Sequence, residues 1–218
     1  MGVSWVFEVH EEDIKMKIQQ SKGREKESKD SAKSIVGWVE IALEQANAVK
    51  HGAFKVDCMP YRSNEHVREH IASAFLLHHS NFPESSFTVG VTPEFAPVSR
   101  LISDQGFDLI LGKFSSILSP DPAGFFEVTG AEYYLKDFRV RVGTAAMNSV
   151  TKGVIVEMEY APSNSPHQCN QLMSEFVEYF FPNQKKPKIF EKPQAELYSA
   201  FDTIGQYLEI FVGMRRRA

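Results

Sequence analysis

Cysteine is scarce. Cys58 and Cys169 are the only two in 218 residues, and neither belongs to a CxxC pair, so a zinc knuckle or a disulfide scaffold is not expected and both read as buried free thiols. Long apolar runs are missing too: none approaches the roughly 18 residues of a membrane span. The first residues lack a basic-then-apolar export segment, which leads to the expectation of an intracellular chain. Basic excess is absent. A net charge of −4 argues against a dedicated nucleic-acid binder, which concentrates lysine and arginine. No repeat of solenoid type recurs, and nothing resembles a GxSxG elbow, a P-loop or a GxGxxG turn.

What is present is a 43% apolar composition, enough for a substantial core in one domain spanning 1–218. The longest regular pattern runs from Phe125 to Tyr160, where apolar and polar residues alternate with the period of a strand. Phe138, Val140 and Val142 point one way, Arg139 and Arg141 the other. Further on, Val154, Val156, Met158 and Tyr160 oppose Ile155, Glu157 and Glu159. A hairpin centred on Ser149, within a turn-like segment Gly143 to Gly153, sets Arg139 against Glu159 and Arg141 against Glu157. A two-residue turn at Lys136-Asp137 places Glu132 across from Arg141 and Tyr134 across from Arg139. Glu132, Arg139, Arg141, Glu157 and Glu159 thus read as a structural ladder of opposite charges that fixes register. The apolar set changes parity across Gly130, which predicts a bulge there.

Elsewhere the pattern gives a strand over Gly2 to Val9, then a charged segment, 11–30, with equal numbers of acidic and basic residues, read as a disordered linker or loop. A helix follows from Asp30 or Ser31 to about Lys50. Strands are predicted over Phe54 to Tyr61, Ile71 to His79, Ser86 to Val91 and Ala96 to Ile102. A helix over Phe107 to Leu118 is expected to bury Phe107, Ile110, Leu111, Phe114 and Leu118. Ser119 to Ala123 reads as a loop. Two further helices, His167 to Phe181 and Ala195 to about Met214, carry Cys169, Leu172, Met173, Phe176, Val177 and Phe180, and Leu197, Phe201, Ile204, Leu208, Phe211 and Val212. The expected class is mostly β: an antiparallel barrel of about eight strands with flanking α-helices, closure being the usual way to remove exposed edges.

Three features invite a chemical reading. His66-Val67-Arg68-Glu69-His70 has the HxxEH spacing of an inverted zinc peptidase, but no third ligand follows and a polar loop is the reading adopted. His78 and His79 alternate faces and cannot both ligate from one strand. Glu157-x-Glu159 is the alternation by which tunnel-shaped triphosphatases hold a divalent metal. That alternative needs a second pair on another strand; Glu132 is the only other candidate, Glu25 and Glu27 lie in the charged segment, and Arg139 and Arg141 already face the two glutamates. Neither a catalytic residue, nor a metal site, nor a cofactor is therefore assigned. The Arg215-Arg216-Arg217 tail reads as solvated cations favouring a helix dipole. Phe125, Tyr134 and Ile155 interrupt the polar face of the central strands and are the candidate partner-binding residues.

Several stretches resemble a known family in wording as well as pattern: Met1-Gly2-Val3; Phe54-Lys55-Val56-Asp57-Cys58 with Tyr61; Phe107-Asp108-Leu109-Ile110 with Lys113; Asp137 through Thr144 with Met147; Gly153 with Val156 through Tyr160; and Asp202-Thr203 with Gln206 through Glu209. In this order, from end to end, they resemble the subunit 20 family of the Mediator complex, the TRF-proximal proteins. The chain departs from that pattern chiefly in its charged 11–30 segment and proline-rich loops. The resemblance implies a nuclear, non-enzymatic coactivator subunit with a β-barrel fold. It implies pairing with Mediator subunit 18, attachment to the head module through the C-terminal helix of subunit 8, and relay of regulatory signals to RNA polymerase II. No short binding motif in the family transfers partner contacts to particular residues.

Overall fold

The structure is a computed structural model that describes residues 2–11, 31–65, 68, 70–94, 96–182 and 184–217. Most of the charged segment read as a linker, with Glu25 and Glu27, and His66, Val67 and Glu69 of the zinc-like spacing, lie outside these residues.

Nine strands and four α-helices form among the described residues: β1 Val3–Val9, α1 Ser31–Gln45, β2 Val49–Ser63, β3 Ser73–His79, β4 Ser85–Val91, β5 Pro97–Asp104, α2 Gly106–Lys113, β6 Leu118–Pro120, β7 Phe126–Leu135, β8 Phe138–Met147, β9 Val150–Tyr160, α3 Pro166–Phe180 and α4 Ala200–Arg216. The class is the expected one, mostly antiparallel strands with helices. The chain divides into two compact units, Met1–Phe54, Thr129–Ala145 and Thr151–Arg216 in the first, and Lys55–Val128, Ala146–Val150 and Arg217–Ala218 in the second.

In the first unit the strand order is β1-β9-β8-β7. β1 and β9 are antiparallel, from Val3 opposite Tyr160 to Val9 opposite Val154. One face of these strands, with Val3, Trp5, Phe7, Val140, Val142, Val154, Val156 and Met158, packs with Ile35, Val39 and Leu43 of α1 and Cys169, Met173 and Val177 of α3 into a single apolar core. The i, i+4, i+8 spacing of the α1 residues puts them on one stripe. α1 stops earlier than its sequence suggests. Asn47 takes a left-handed φ of 65°, and the amides of Asn47 and Ala48 bond back to the carbonyls of Glu44 and Leu43 at 2.9 Å each, a Schellman closure. The chain then leaves directly as β2, so Val49 to Ala53 are strand and not the end of a helix.

β7 turns into β8 through Lys136, at φ 55°. Along β7 the buried residues shift from Phe126 and Val128 to Ala131 and Tyr133, with Thr129 and Gly130 both exposed, the parity slip of a bulge. A side chain cannot replace the Gly130 hydrogen, because a Cβ there would lie 1.8 Å from the Val142 carbonyl oxygen.

In the second unit the order is β2-β3-β4-β5, with β6 on β2. β3 and β4 form the expected hairpin, Ser73 opposite Val91 and Leu77 opposite Phe87. Two expectations fail here. Ser119 and Pro120, read as loop, form β6, paired with Tyr61 and Arg62. α2 ends at Lys113 and buries only Leu111; Ile110 and Phe114, expected in its buried stripe, are exposed, as is Leu109 at 75%. Leu111 packs with Tyr61, Ala74 and Leu76, and a helix of 8 residues offers one turn of contact to so small a cluster. The segment Gly143 to Gly153, read as turn-like, narrows to a two-residue turn: Asn148 and Ser149 adopt φ of 46° and 66°, the pair of left-handed conformations that joins strands of natural twist. In the first unit, Leu172 and Leu197 of the later helical patterns are likewise exposed.

Candidate functional site

β8 delivers Arg141 to the face of the first unit opposite the apolar core. Its guanidinium is 1% exposed and bonds three carboxylates: Nε to Glu132 Oε2 at 2.6 Å, Nη1 to Glu157 Oε1 at 2.7 Å and Nη2 to Glu159 Oε2 at 3.0 Å. Glu132 comes from β7, Glu157 and Glu159 from alternate positions of β9, so strand alternation alone aims all of them at one point. Arg139, half-exposed, reaches Glu159 at 3.9 Å and lies over the Tyr134 ring, 5.6 Å from its centroid. The five charged residues read as a structural ladder are unequal in place: one arginine gathers three acids in the interior, and the other stays at the margin.

The burial has an identifiable cause. α4 and the segment before it lie across this face: Tyr207 Oη donates to Glu157 Oε2 at 2.8 Å, Gln206 bonds the Ser4 carbonyl at 3.0 Å and receives the Val6 amide at 2.9 Å, and Tyr198 Oη donates to the Ser4 carbonyl at 3.2 Å. From β1, Ser4 Oγ donates to Glu157 at 3.0 Å and the Gly2 amide to Glu159 Oε1 at 2.9 Å. Burial alone pulls the Arg141 pKa down, and the charges of Glu157, Glu159 and Glu132 more than reverse it, so the guanidinium is permanently charged. Burial and the Glu157 charge push Tyr207 well above its ordinary value and keep it a neutral donor. Chemically the arrangement is closed: the carboxylate oxygens that a metal would use accept from guanidinium, phenol, hydroxyl and amide. Among the described residues no group of three or more His, Cys, Asp or Glu is placed to hold a metal ion.

The residues read as partner-binding do not share one environment. Ile155 is 0% exposed, on the same face of β9 as Glu157 and Glu159, and is withdrawn as a contact residue: the polar face it interrupts lies inside the molecule. Tyr134 is partly buried and stacks on His51 with centroids 4.2 Å apart. Phe125, in the second unit, is partly exposed, and its carbonyl receives the Asn148 amide at 3.0 Å.

A second polar constellation, in the second unit, was not read from the sequence. His78 of β3 bonds Asp57 Oδ1 of β2 through Nδ1 at 2.8 Å. Its Nε2 lies 3.1 Å from both Ser86 Oγ of β4 and Asp108 Oδ2 of α2. The hydrogen bond to Asp57 raises the His78 pKa, burial lowers it, and the Asp57 and Asp108 charges raise it further. Asp57, His78 and Asp108 line a depression of about 380 Å³ with Lys55, His79 and Gln105. The order Asp57, His78, Ser86 is that of a charge-relay triad, but Ser86 is 0% exposed and its hydroxyl donates to Asp108 at 3.1 Å, so it is no nucleophile. The only signal in the sequence was the alternation of Asp57 and His78 on predicted strands; the Asp108 contact depends on where α2 settles. Cys58 and Cys169 are buried free thiols, and no described helix is long and apolar enough to cross a membrane.

Comparison with known proteins follows the same end-to-end pattern. A family model described as TATA-binding related factor (TRF) of subunit 20 of Mediator complex matches residues 20–212. The chain is 38% identical to Mediator of RNA polymerase II transcription subunit 20 of Caenorhabditis briggsae over 100% of both chains. The proteins of the same description from Gallus gallus and Homo sapiens are 32% and 30% identical, each alignment covering 85% of this chain and 89% of the relative. A match that runs through both compact units, on a fold whose strongest cluster of acids is tied up internally, places this chain in the Mediator subunit 20 family, among the components of a transcription-regulating complex.

Proposed function

We propose that this chain is a non-enzymatic interaction subunit, working in the nucleus within the Mediator head module as partner of Mediator subunit 18 and of the C-terminal helix of subunit 8, and relaying regulatory signals to RNA polymerase II. The observation that carries the non-enzymatic reading is the enclosure of Glu132, Glu157 and Glu159 around Arg141. These are the acids a tunnel-type triphosphatase would need, and they are spent on structure. Membership of the Mediator family supplies the setting. Partner contact falls to partly or fully exposed apolar side chains: Phe125 and Tyr134, joined by Leu109, Ile110 and Phe114, which stand out from the second unit.

The test is co-expression with subunit 18 and the C-terminal segment of subunit 8. One stable complex of all three is expected on gel filtration. Failure to co-purify, or manganese- or magnesium-dependent release of phosphate from nucleotides that Glu157→Ala abolishes, overturns the reading.

A further inference from the structure

β5 ends the strand order of the second unit. Among the described residues it pairs with β4 and with no other strand, so about every second N–H and C=O along it points away from the ladder. Proteins blunt such an edge with charge, proline, a bulge or a covering element. Pro97 and the register shift at Gly90 and Val91 do so at the start of β5. Beyond them Leu101 and Ile102 stand 44% and 52% exposed, and since neighbours on a strand point to opposite faces, the edge is apolar on both. Leu101, opposite Thr88, shares the face on which Ser86 Oγ donates to Asp108 of α2, and α2 lies against β5 there. Ile102, opposite the buried Phe87, opens on the other face. An open ladder selects its occupant: only extended backbone supplies donors and acceptors at the strand spacing. Charge narrows the sequence of that backbone. Asp104 is exposed at the end of β5, and the exposed Glu84 precedes Ser85, the residue opposite Asp104; Arg100 lies toward the other end of the strand.

We propose that β5 is completed by an extended segment of another protein, a strand that sets apolar side chains against Leu101 and Ile102 and carries a lysine or arginine at the end beside Asp104 and Glu84. The inference rests on the reading of this chain as an interaction subunit and adds the mode of contact. Main-chain hydrogen bonds along the edge hold the segment, and alternate side chains, one row beside α2 and one on the opposite face, select it.

The complex formed by co-expression with subunit 18 and the C-terminal segment of subunit 8 provides the test. Amide hydrogen exchange over residues 99–104 is expected to slow at least about tenfold in the complex relative to the isolated chain. Leu101→Lys together with Ile102→Lys is expected to leave the unfolding midpoint of the isolated chain within about 4 °C, and to lower recovery of the complex at least about tenfold, because charge on an edge opposes strand addition. Proline gives a readout that a plain apolar patch would not move. Adjacent N–H groups point to opposite sides of a strand, so one of Leu101→Pro and Ile102→Pro breaks the β4 ladder and destabilises the isolated chain, while the other spares it and still weakens the complex. Unchanged exchange in the complex, full recovery with the lysine pair, or full recovery with the stable proline variant overturns strand addition and leaves the interaction-subunit reading standing. Absence of any complex with the unmodified chain overturns that reading, and this inference with it. Self-association of the isolated chain that the lysine pair abolishes assigns the edge to a second copy and also overturns the proposal. If both proline variants unfold, exchange and the lysine pair decide.

Discussion

Arg139 and Arg141 have the same side chain, two residues apart on one strand face, and the structure separates them by burial. Replacing Arg141 with methionine strands carboxylates in the interior, and breaking a buried pair from one side costs about 3–5 kcal/mol. Arg141→Met is expected to unfold at far lower urea concentration, if it accumulates in soluble form at all. Arg139→Ala removes a side chain that is 38% exposed, and a shift below about 1 kcal/mol is expected in the same titration. A pair of equal effects would contradict the geometry. Alternation puts these arginines and glutamates on one strand face, where their side chains meet; burial was not legible, because Tyr207 lies 50 positions from Glu157 and no local pattern reveals which helix covers which face.

His78 gives a pH dependence of definite sign. Its pKa is raised above the ordinary 6.5 by the hydrogen bond to Asp57 and the charges of Asp57 and Asp108. A group more basic when folded contributes stability that is complete below the unfolded value and is lost as pH climbs through the folded one. The unfolding midpoint is therefore expected to fall as pH rises from about 6 upward through the folded value, and His78→Gln to flatten that part of the profile. Thermal scans between pH 5.5 and pH 9, about the range in which histidine titrates, check both statements.

At the scale of elements, strands were read well and one helix was not. β3, β4 and β5 lie within about two residues of the ranges their alternation suggests, and the slip in β7 follows from the glycine that permits it. α2 misled because its apolar residues satisfy a helical stripe, yet only Leu111 is buried. Periodicity reports which side chains share a face and says nothing about whether that face meets core or a neighbouring molecule. The remaining exposed residues make a prediction. Ile110→Glu is expected to change the stability of the isolated chain by no more than about 0.5 kcal/mol, while weakening co-purification with the partner subunits at least about tenfold, the effect of a truncated anchor. Unchanged recovery of the complex would remove α2 from the contact surface.

At the scale of the whole molecule, family membership and fold class were both accessible from the chain, since the matching stretches recur from one end to the other. The inward turn of the charged face was hidden, because it depends on α4 joining β1 and β9 from opposite ends of the sequence. One small feature has a practical consequence for locating this subunit within a large assembly. The turn at Asn148 and Ser149 is followed by an outward-facing Val150, and tips of this sort accept inserted peptides. An epitope spliced between those two residues would give electron microscopists a landmark on particles, leaving the acids of the interior undisturbed.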